Sequence, residues 1–507
     1  EITNLTPIFL NAEKPATGEM IETVDGDLIT KPDLTRWFQA ESHSEKGLGE
    51  VIQALQTTSG IAHAEPDYVR KPVGEMSTDL EATTTTLSAV PAMLPGSTTD
   101  PLYDQQWHLA ATHVPEAWAY LESQGLPPGG SRDIVVAIID TGVDYTHPDL
   151  AANIWVNPAE FNGFPGVDDD GNGYIDDING VNTTHPGWNP KDDHGHGTHV
   201  AGIIAAQADN QIGGVGIAYN TQIMVLKAAQ YSGVLAASDI AEAIYYATSK
   251  GADIINMSFG SYARSTVEED ALAIAFGQAV LVAAAGNDQS VNLPCGFGVD
   301  MYPAAYNWVL GVMASTQFPA FGDYLAGFSN YDCRSYDSHE YELMAPGVDI
   351  WSTLPENQYA AWSGTSMSAP VVSGIAALAR TYWSDTQLFT SRFIMGQIAA
   401  TGPLLGLSRA YQAPDALAAI TAAPIPRLNY LQHWVFDTPE VDPLNDADGI
   451  VDTGEIIDLG IVIRNHWGQA SDVTVLLEPI AEGAVYPDPY VTMITSTVSY
   501  DPIGSFN

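Results

Sequence analysis

Ile134-Val-Val-Ala-Ile-Ile139 runs directly into Asp140-Thr-Gly142. An unbroken apolar, largely β-branched run reads as a strand covered on both faces, since a strand with one wet face alternates polar and apolar residues. Similar short runs recur at 223–226, 254–257, 280–283 and 308–312, with helix-like stretches at 238–250 and 266–277 between them. Strand and helix in repeated alternation predict an α/β fold: a parallel, doubly wound sheet with helices on both faces. In such sheets chemistry collects at the carboxyl ends of the strands. Asp140, which follows the first run, is therefore the first polar residue to consider.

Composition divides the rest of the chain. Residues 1–75 read as a small α+β segment, with an amphipathic helix in Leu48-Gly-Glu-Val-Ile-Gln-Ala-Leu55 and an edge strand at Ala62-His-Ala-Glu-Pro-Asp-Tyr-Val69. Residues 76–99, rich in Thr, Ser and Pro, read as a linker. The α/β region occupies 100–422. Beyond it, 423–507 is β-rich, as in Ile456-Ile-Asp-Leu-Gly-Ile-Val-Ile-Arg464.

The chain carries 62 acidic and 17 basic residues in 507, a formal net charge of −45. Nucleic acid and anionic membrane surfaces would be repelled, so neither is an expected partner. With 45% hydrophobic residues the chain can bury a core, yet no run reaches the ~18 apolar residues of a membrane span. Cys295 and Cys333 permit one disulfide or two buried thiols. The first residue is Glu1 and no charged-then-apolar leader follows, which fits a processed chain or a fragment.

Four polar positions close or open the predicted elements. Asp140 follows a strand. His196 begins His196-Gly-Thr-His-Val-Ala-Gly-Ile-Ile-Ala-Ala206, Asn287 ends Ala283-Ala-Ala-Gly-Asn287, and Ser366 lies in Gly364-Thr-Ser-Met-Ser-Ala-Pro370 before a small-residue helix. Acyl transfer uses these types: a hydroxyl activated by an imidazole, a carboxylate that fixes the tautomer, and an amide that donates to the developing oxyanion. Ser366 at a helix start also gains from free N–H groups and the helix dipole. Any one motif alone also fits a turn or a helix end. His199, three residues along from His196, reads as helix packing.

Asp140-Thr-Gly, His196-Gly-Thr-His-Val-Ala-Gly202 and Gly364-Thr-Ser-Met-Ser-Ala-Pro370 resemble the three signatures of the subtilisin-like serine proteases (subtilases), in that family's Asp, His, Ser order. Ile255-Asn-Met-Ser-Phe-Gly260 and 283–287 resemble its substrate-strand and oxyanion motifs, and the likeness spans about 98–422. It implies Asp140, His196 and Ser366 as a triad, Asn287 as oxyanion donor, and a serine endopeptidase acting on proteins and peptides. Ser368 stands where the family usually has alanine. The end of Ser258-Phe259-Gly260 offers backbone to an extended substrate as an added strand. By similarity the primary pocket lies between 258–261, 284–288 and 301–303; Met301, where many relatives have glycine, partly fills its floor. A medium-sized apolar residue is the expected occupant.

Calcium is the expected cofactor. Asp168-Asp-Asp-Gly-Asn-Gly-Tyr-Ile-Asp-Asp177 spaces Asp168, Asp170, Asn172 and the Tyr174 carbonyl like the first half of an EF-hand loop, with Asp177 to complete the shell. The stretch 207–218 resembles the calcium loop of subtilases; the likeness implies Asp100, Asp149 and Asn210 as ligands with the carbonyls of Gln207, Ile212 and Gly214. These hard oxygens suit calcium better than zinc. A third set is Asp446, Asp448, Asp452 and Glu455.

Gly60-Ile-Ala-His-Ala-Glu-Pro-Asp-Tyr68 resembles the end of a subtilase propeptide, which implies a zymogen with its own segment as intramolecular inhibitor, and a secreted enzyme. Residues 423–507 resemble the start of an immunoglobulin-like β-sandwich of the kind appended to secreted proteases. The competing reading is a catalytically silent binding or adhesion module of the same fold. No triad or oxyanion position is missing, which disfavours it.

Overall fold

A computed structural model describes residues 2–22, 28–43, 46–73, 98–289, 300–320, 323–332, 341–406 and 411–423, and four strands further on. Glu1–Thr23 with Leu28–Ala422 forms one unit; Val24–Asp27 with Ala423–Asn507 forms another.

The elements that position the site are the strands β1 (Val69–Pro72), β2 (Val135–Asp140), β3 (Gly180–Asn182), β4 (Gln222–Lys227), β5 (Leu235–Ala236), β6 (Ile254–Met257), β7 (Phe259–Gly260), β8 (Val280–Ala284), β9 (Leu310–Ala320), β10 (Asp323–Leu325) and β11 (Leu343–Pro346). The helices are α1 (His196–Ala205), α2 (Ala237–Ser249), α3 (Thr266–Phe276) and α4 (Thr365–Tyr382). Eight strands make the main sheet in the order β10-β9-β8-β6-β2-β4-β3, with β11 also on β9. Every pairing is parallel except β9 with β10. The central β2 is buried along its whole length, which is why its run shows no polar alternation.

The chain leaves β2, builds β3 and β4 on one side, then crosses to β6, β8 and β9 on the other. Strand order therefore reverses beside β2, the place where sheets of this kind bind ligands, at the carboxyl ends of their strands. Asp140 is the last residue of β2, and Asn287 follows β8 by three residues. The buried helices α1 and α4 pack on each other and bring His196 and Ser366 to the same end.

One expectation is corrected. The edge strand read at 62–69 lies further on, at β1, and 61–68 forms no ladder. The carboxylates in that stretch bond to helix ends instead. Glu65 accepts from Thr266 N at 2.9 Å and Val267 N at 3.2 Å, and Asp67 accepts from Ser238 N at 3.0 Å. They satisfy free N–H groups at the starts of α3 and α2. The helix expected near 48–55 is present as Leu48–Gln56.

In the second unit Leu428–Phe436 pairs antiparallel with Asp458–Asn465, and Thr474–Leu476 with Thr497–Ser499. Those strands agree with the β-rich reading. Asp446, Asp448, Asp452, Glu455, Cys295, Cys333 and most of the 76–99 stretch lie outside the described residues.

Candidate active site

Asp140 and His196 meet. His196 Nδ1 lies 2.7 Å from Asp140 Oδ1 and 2.9 Å from Oδ2. A carboxylate only accepts, so Nδ1 carries the proton and Nε2 presents its lone pair. That Nε2 is buried and has no hydrogen-bond partner among the described residues. The approach depends on Gly197, where a Cβ would fall 2.1 Å from the Gly142 carbonyl oxygen. Helix α1 is anchored by Asp192, which accepts from His194 N, Gly195 N, Thr198 N and the Thr198 hydroxyl. Asp192 was not singled out in the sequence; its signal is an aspartate just before a glycine-led helix start. His199 stacks on Trp362 at 4.6 Å and donates from Nε2 to the Ala360 carbonyl, a packing role.

Ser366 opens α4 with its hydroxyl turned elsewhere. Its Oγ donates to the Ser258 carbonyl at 2.6 Å and accepts from Val73 N at 2.9 Å. The Ser366 carbonyl has lost its helical donor, because residue 370, four further on, is Pro370 with no N–H. Ser258 Oγ replaces that donor at 3.0 Å and is itself held by Asn256 Nδ2. Proline, serine and asparagine thus tie the end of β6 to the start of α4. Asn287 is fixed from the same helix: Thr365 N and Thr365 Oγ1 both donate to its Oδ1, at 3.0 and 2.9 Å. An N–H requires an oxygen there, so the Asn287 Nδ2 end is the donor end of that amide.

The predicted substrate strand is filled by the chain itself. β1 lies antiparallel between β7 and β5, with Pro72 opposite Phe259 and Lys71 opposite Gly260. Val73 N points to the Ser258 carbonyl at 3.3 Å, and the Val73 carbonyl accepts from Ser366 N at 3.0 Å. Met301 packs against Gly260 and Gly286: a Cβ on Gly260 would come within 2.8 Å of its Sδ, and one on Gly286 within 2.5 Å of its Cε.

The oxygen-rich loops also assemble. Asp168 and Asp170 come together with Glu160, which the sequence reading missed because it sits on a separate short helix, Pro158–Phe161; one oxygen from each lies within 4.8 Å of the others. Asn172 joins through its backbone, donating to Asp168 and Asp170. Asp177 instead accepts from Asn157, Asn172 and Tyr246. The Tyr174 hydroxyl goes to Glu242, and Lys250 pairs with Asp170. At the second loop Asp149 accepts from Asn210 Nδ2 at 2.7 Å, and Asp100 from Asp209 N, Asn210 N and Gln211 N. Gln207 N bonds the Asp149 carbonyl and Ile212 N the Asn210 side chain, while Gly214 lies against Gln106. Burial pushes Asp149 up to about 7, and the Asp100 charge adds to this. The donors are hard oxygens throughout, and a Cβ on Gly213 would stand 2.4 Å from Asp149 Oδ2. Both loops fit a calcium ion by donor chemistry.

Residues 131–400 match the family model of the subtilase peptidases. The chain belongs to the subtilase family. It is 41% identical over 250 residues to the thermophilic serine proteinase of Bacillus sp. (strain AK1), covering 49% of this chain and 52% of that protein. It is 33% identical over 284 residues to subtilisin-like protease 1 of Plasmodium berghei (strain Anka), covering 54% and 46%. To the halolysin-like extracellular serine protease Nep of Natrialba magadii it is 34% identical over 281 residues, covering 55% and 44%. The subtilase chain thus spans about half the length of these curated relatives. Among its described residues no helix is long and apolar enough to cross a membrane.

Proposed function

We propose that the protein is a secreted serine endopeptidase made as a zymogen, with Asp140, His196 and Ser366 as its triad and Asn287 as oxyanion donor. The observation that carries this is Val73. Its carbonyl sits on Ser366 N and its amide on Ser258, as a substrate residue before a cleaved bond would sit. The bond after Val73 is then the maturation site, and residues before it are both first substrate and inhibitor.

In the reaction the Ser366 hydroxyl swings from Ser258 O toward His196 Nε2, which takes its proton as Oγ attacks the acyl carbon. Asp140 stabilises the imidazolium, while Ser366 N and Asn287 Nδ2 receive the oxyanion. His196 passes the proton to the leaving amine, and water then releases the acyl group by the same steps. Backbone pairing along Ser258, Phe259 and Gly260 binds extended chain without reading most side chains. Calcium at Glu160, Asp168, Asp170 and Asn172, and at Asp100, Asp149 and Asn210, would offset local carboxylate repulsion and stabilise the folded form. The secreted reading draws on the relative named as extracellular.

A fluorophosphonate probe should label the processed enzyme at Ser366 and leave Ser366→Ala unlabelled; a labelled alanine variant would refute the assignment. Replacing Ser366 or His196 is expected to lower kcat by about 10⁶, and Asn287→Ala by about 10²–10³, as for the corresponding groups of a subtilisin.

A further inference from the structure

Counted back from the bond after Val73, the docked segment presents Val73, Pro72, Lys71 and Arg70. Lys71 is exposed, whereas Arg70 is fully buried, which makes it the segment's most enclosed side chain at the cleft. Its guanidinium meets three acceptors. Nη2 pairs with Glu268 Oε2, and Nη1 donates to Ser261 Oγ and to the Ala263 carbonyl, the last at 2.5 Å. Glu268 is as buried as its partner, with its Oε1 unbonded among the described residues. The loop that supplies the other acceptors is held by Tyr306, whose hydroxyl accepts from Ser265 N at 2.9 Å and donates to the Ser265 carbonyl at 2.7 Å.

Glu268 belongs to α3, and Ser261 and Ala263 to the loop before it, so all three acceptors remain when the N-terminal segment departs. Water can reach Glu268 once the segment has left, but a substrate that seals the pocket again encloses the carboxylate, which costs free energy unless that substrate brings a cation or a donor. The site is thus built for a guanidinium whoever brings it: a planar fork can satisfy a carboxylate, a hydroxyl and a carbonyl together, whereas an ammonium on a longer, single-point stem meets fewer of them.

We propose that Glu268, with Ser261 and the Ala263 carbonyl, makes the fourth subsite of the mature enzyme selective for arginine, so that its substrates are extended protein segments with Arg three residues before a medium-sized apolar residue at the cleaved bond. This rests on the proteolytic reading given above. Neither the acidic composition nor the catalytic motifs point to it, because Arg70 and Glu268 are 198 residues apart.

Fluorogenic peptides of the form acetyl-Xaa-Lys-Pro-Val-coumarylamide, with Arg, Lys, Ala or Glu as Xaa, test it on processed enzyme. Expected kcat/KM falls in the order Arg, Lys, Ala, Glu, with Arg ahead of Ala by about 10- to 100-fold, the range for charged hydrogen bonds. In Glu268→Gln protein that still labels with fluorophosphonate, the Arg-to-Ala ratio should collapse to within about threefold of unity. Ser261→Ala should narrow it less. Equal kcat/KM for Arg and Ala in the parent enzyme, or an Arg preference that survives Glu268→Gln, overturns the subsite while leaving the protease reading intact. No cleavage of any peptide together with no labelling overturns the protease reading, and the subsite with it.

Discussion

At the scale of single residues, the site combines groups that the motifs announce with supports they do not. The proposed triad Asp140, His196 and Ser366 and the proposed oxyanion donor Asn287 stand out in the sequence because acyl transfer restricts each position to one or two residue types. Their supports are less constrained. Asp192 holds α1 through four donors, and any local acceptor of suitable reach could do so. Pro370 is legible as part of a motif, but its consequence is seen only in space: it frees the Ser366 carbonyl for Ser258 Oγ. Ser258→Ala should therefore leave that buried carbonyl without a donor. The expected loss is about 1–3 kcal/mol in chemical unfolding. An unchanged midpoint would show that the hydroxyl does not support the helix start.

Among the elements, the runs at 134–139, 223–226, 254–257 and 280–283 lie within a residue or two of strands buried on both faces, since burial alone dictates their composition, whereas the run at 308–312 falls short of its strand, which extends over Leu310–Ala320. The run at 134–139 became Val135–Asp140, and 254–257 matched Ile254–Met257. The stretch before β1 was misread because extended backbone does not imply a ladder. Glu65 and Asp67 act there as caps for helices from another part of the chain, a role no local pattern encodes. Burial works to raise the Glu65 carboxyl, but hydrogen bonds from Thr266 N, Val267 N, His63 and Ser265 hold it below its ordinary 4.5. A depressed carboxylate contributes stability that is full above its unfolded value and lost as pH falls through the folded one. In unprocessed Ser366→Ala protein, Glu65→Gln should cost about 1 kcal/mol near neutral pH, the scale of a helix cap. The gap between the two proteins should close as pH drops below 4.5. A gap independent of pH would contradict the capping role of the charge.

Over the whole molecule, the net charge of −45 sets a problem that calcium held in the oxygen-rich loops would answer. Part of that acidity lies in Glu160, Asp168 and Asp170, and part in Asp100 and Asp149 beside Asn210. An ion that binds only the folded form adds about 2.7 kcal/mol when present at a hundred times its dissociation constant. Excess EDTA should accordingly lower Tm markedly, and added calcium should restore it; an unchanged Tm would rule out stabilising sites. The grouping of Glu160 with the Asp168 loop was beyond sequence reading, because the two reach each other through loop geometry rather than spacing.

One residue of the N-terminal segment, Val73, ties β1 to Ser258 and to Ser366 at the start of α4. N-terminal sequencing of purified wild-type and Ser366→Ala proteins reads its role directly. The wild type should begin at Gly74 while the variant keeps its segment. Cleavage of pure Ser366→Ala protein after Val73, or a processed wild type that begins elsewhere, would contradict self-cleavage by this triad at the docked bond.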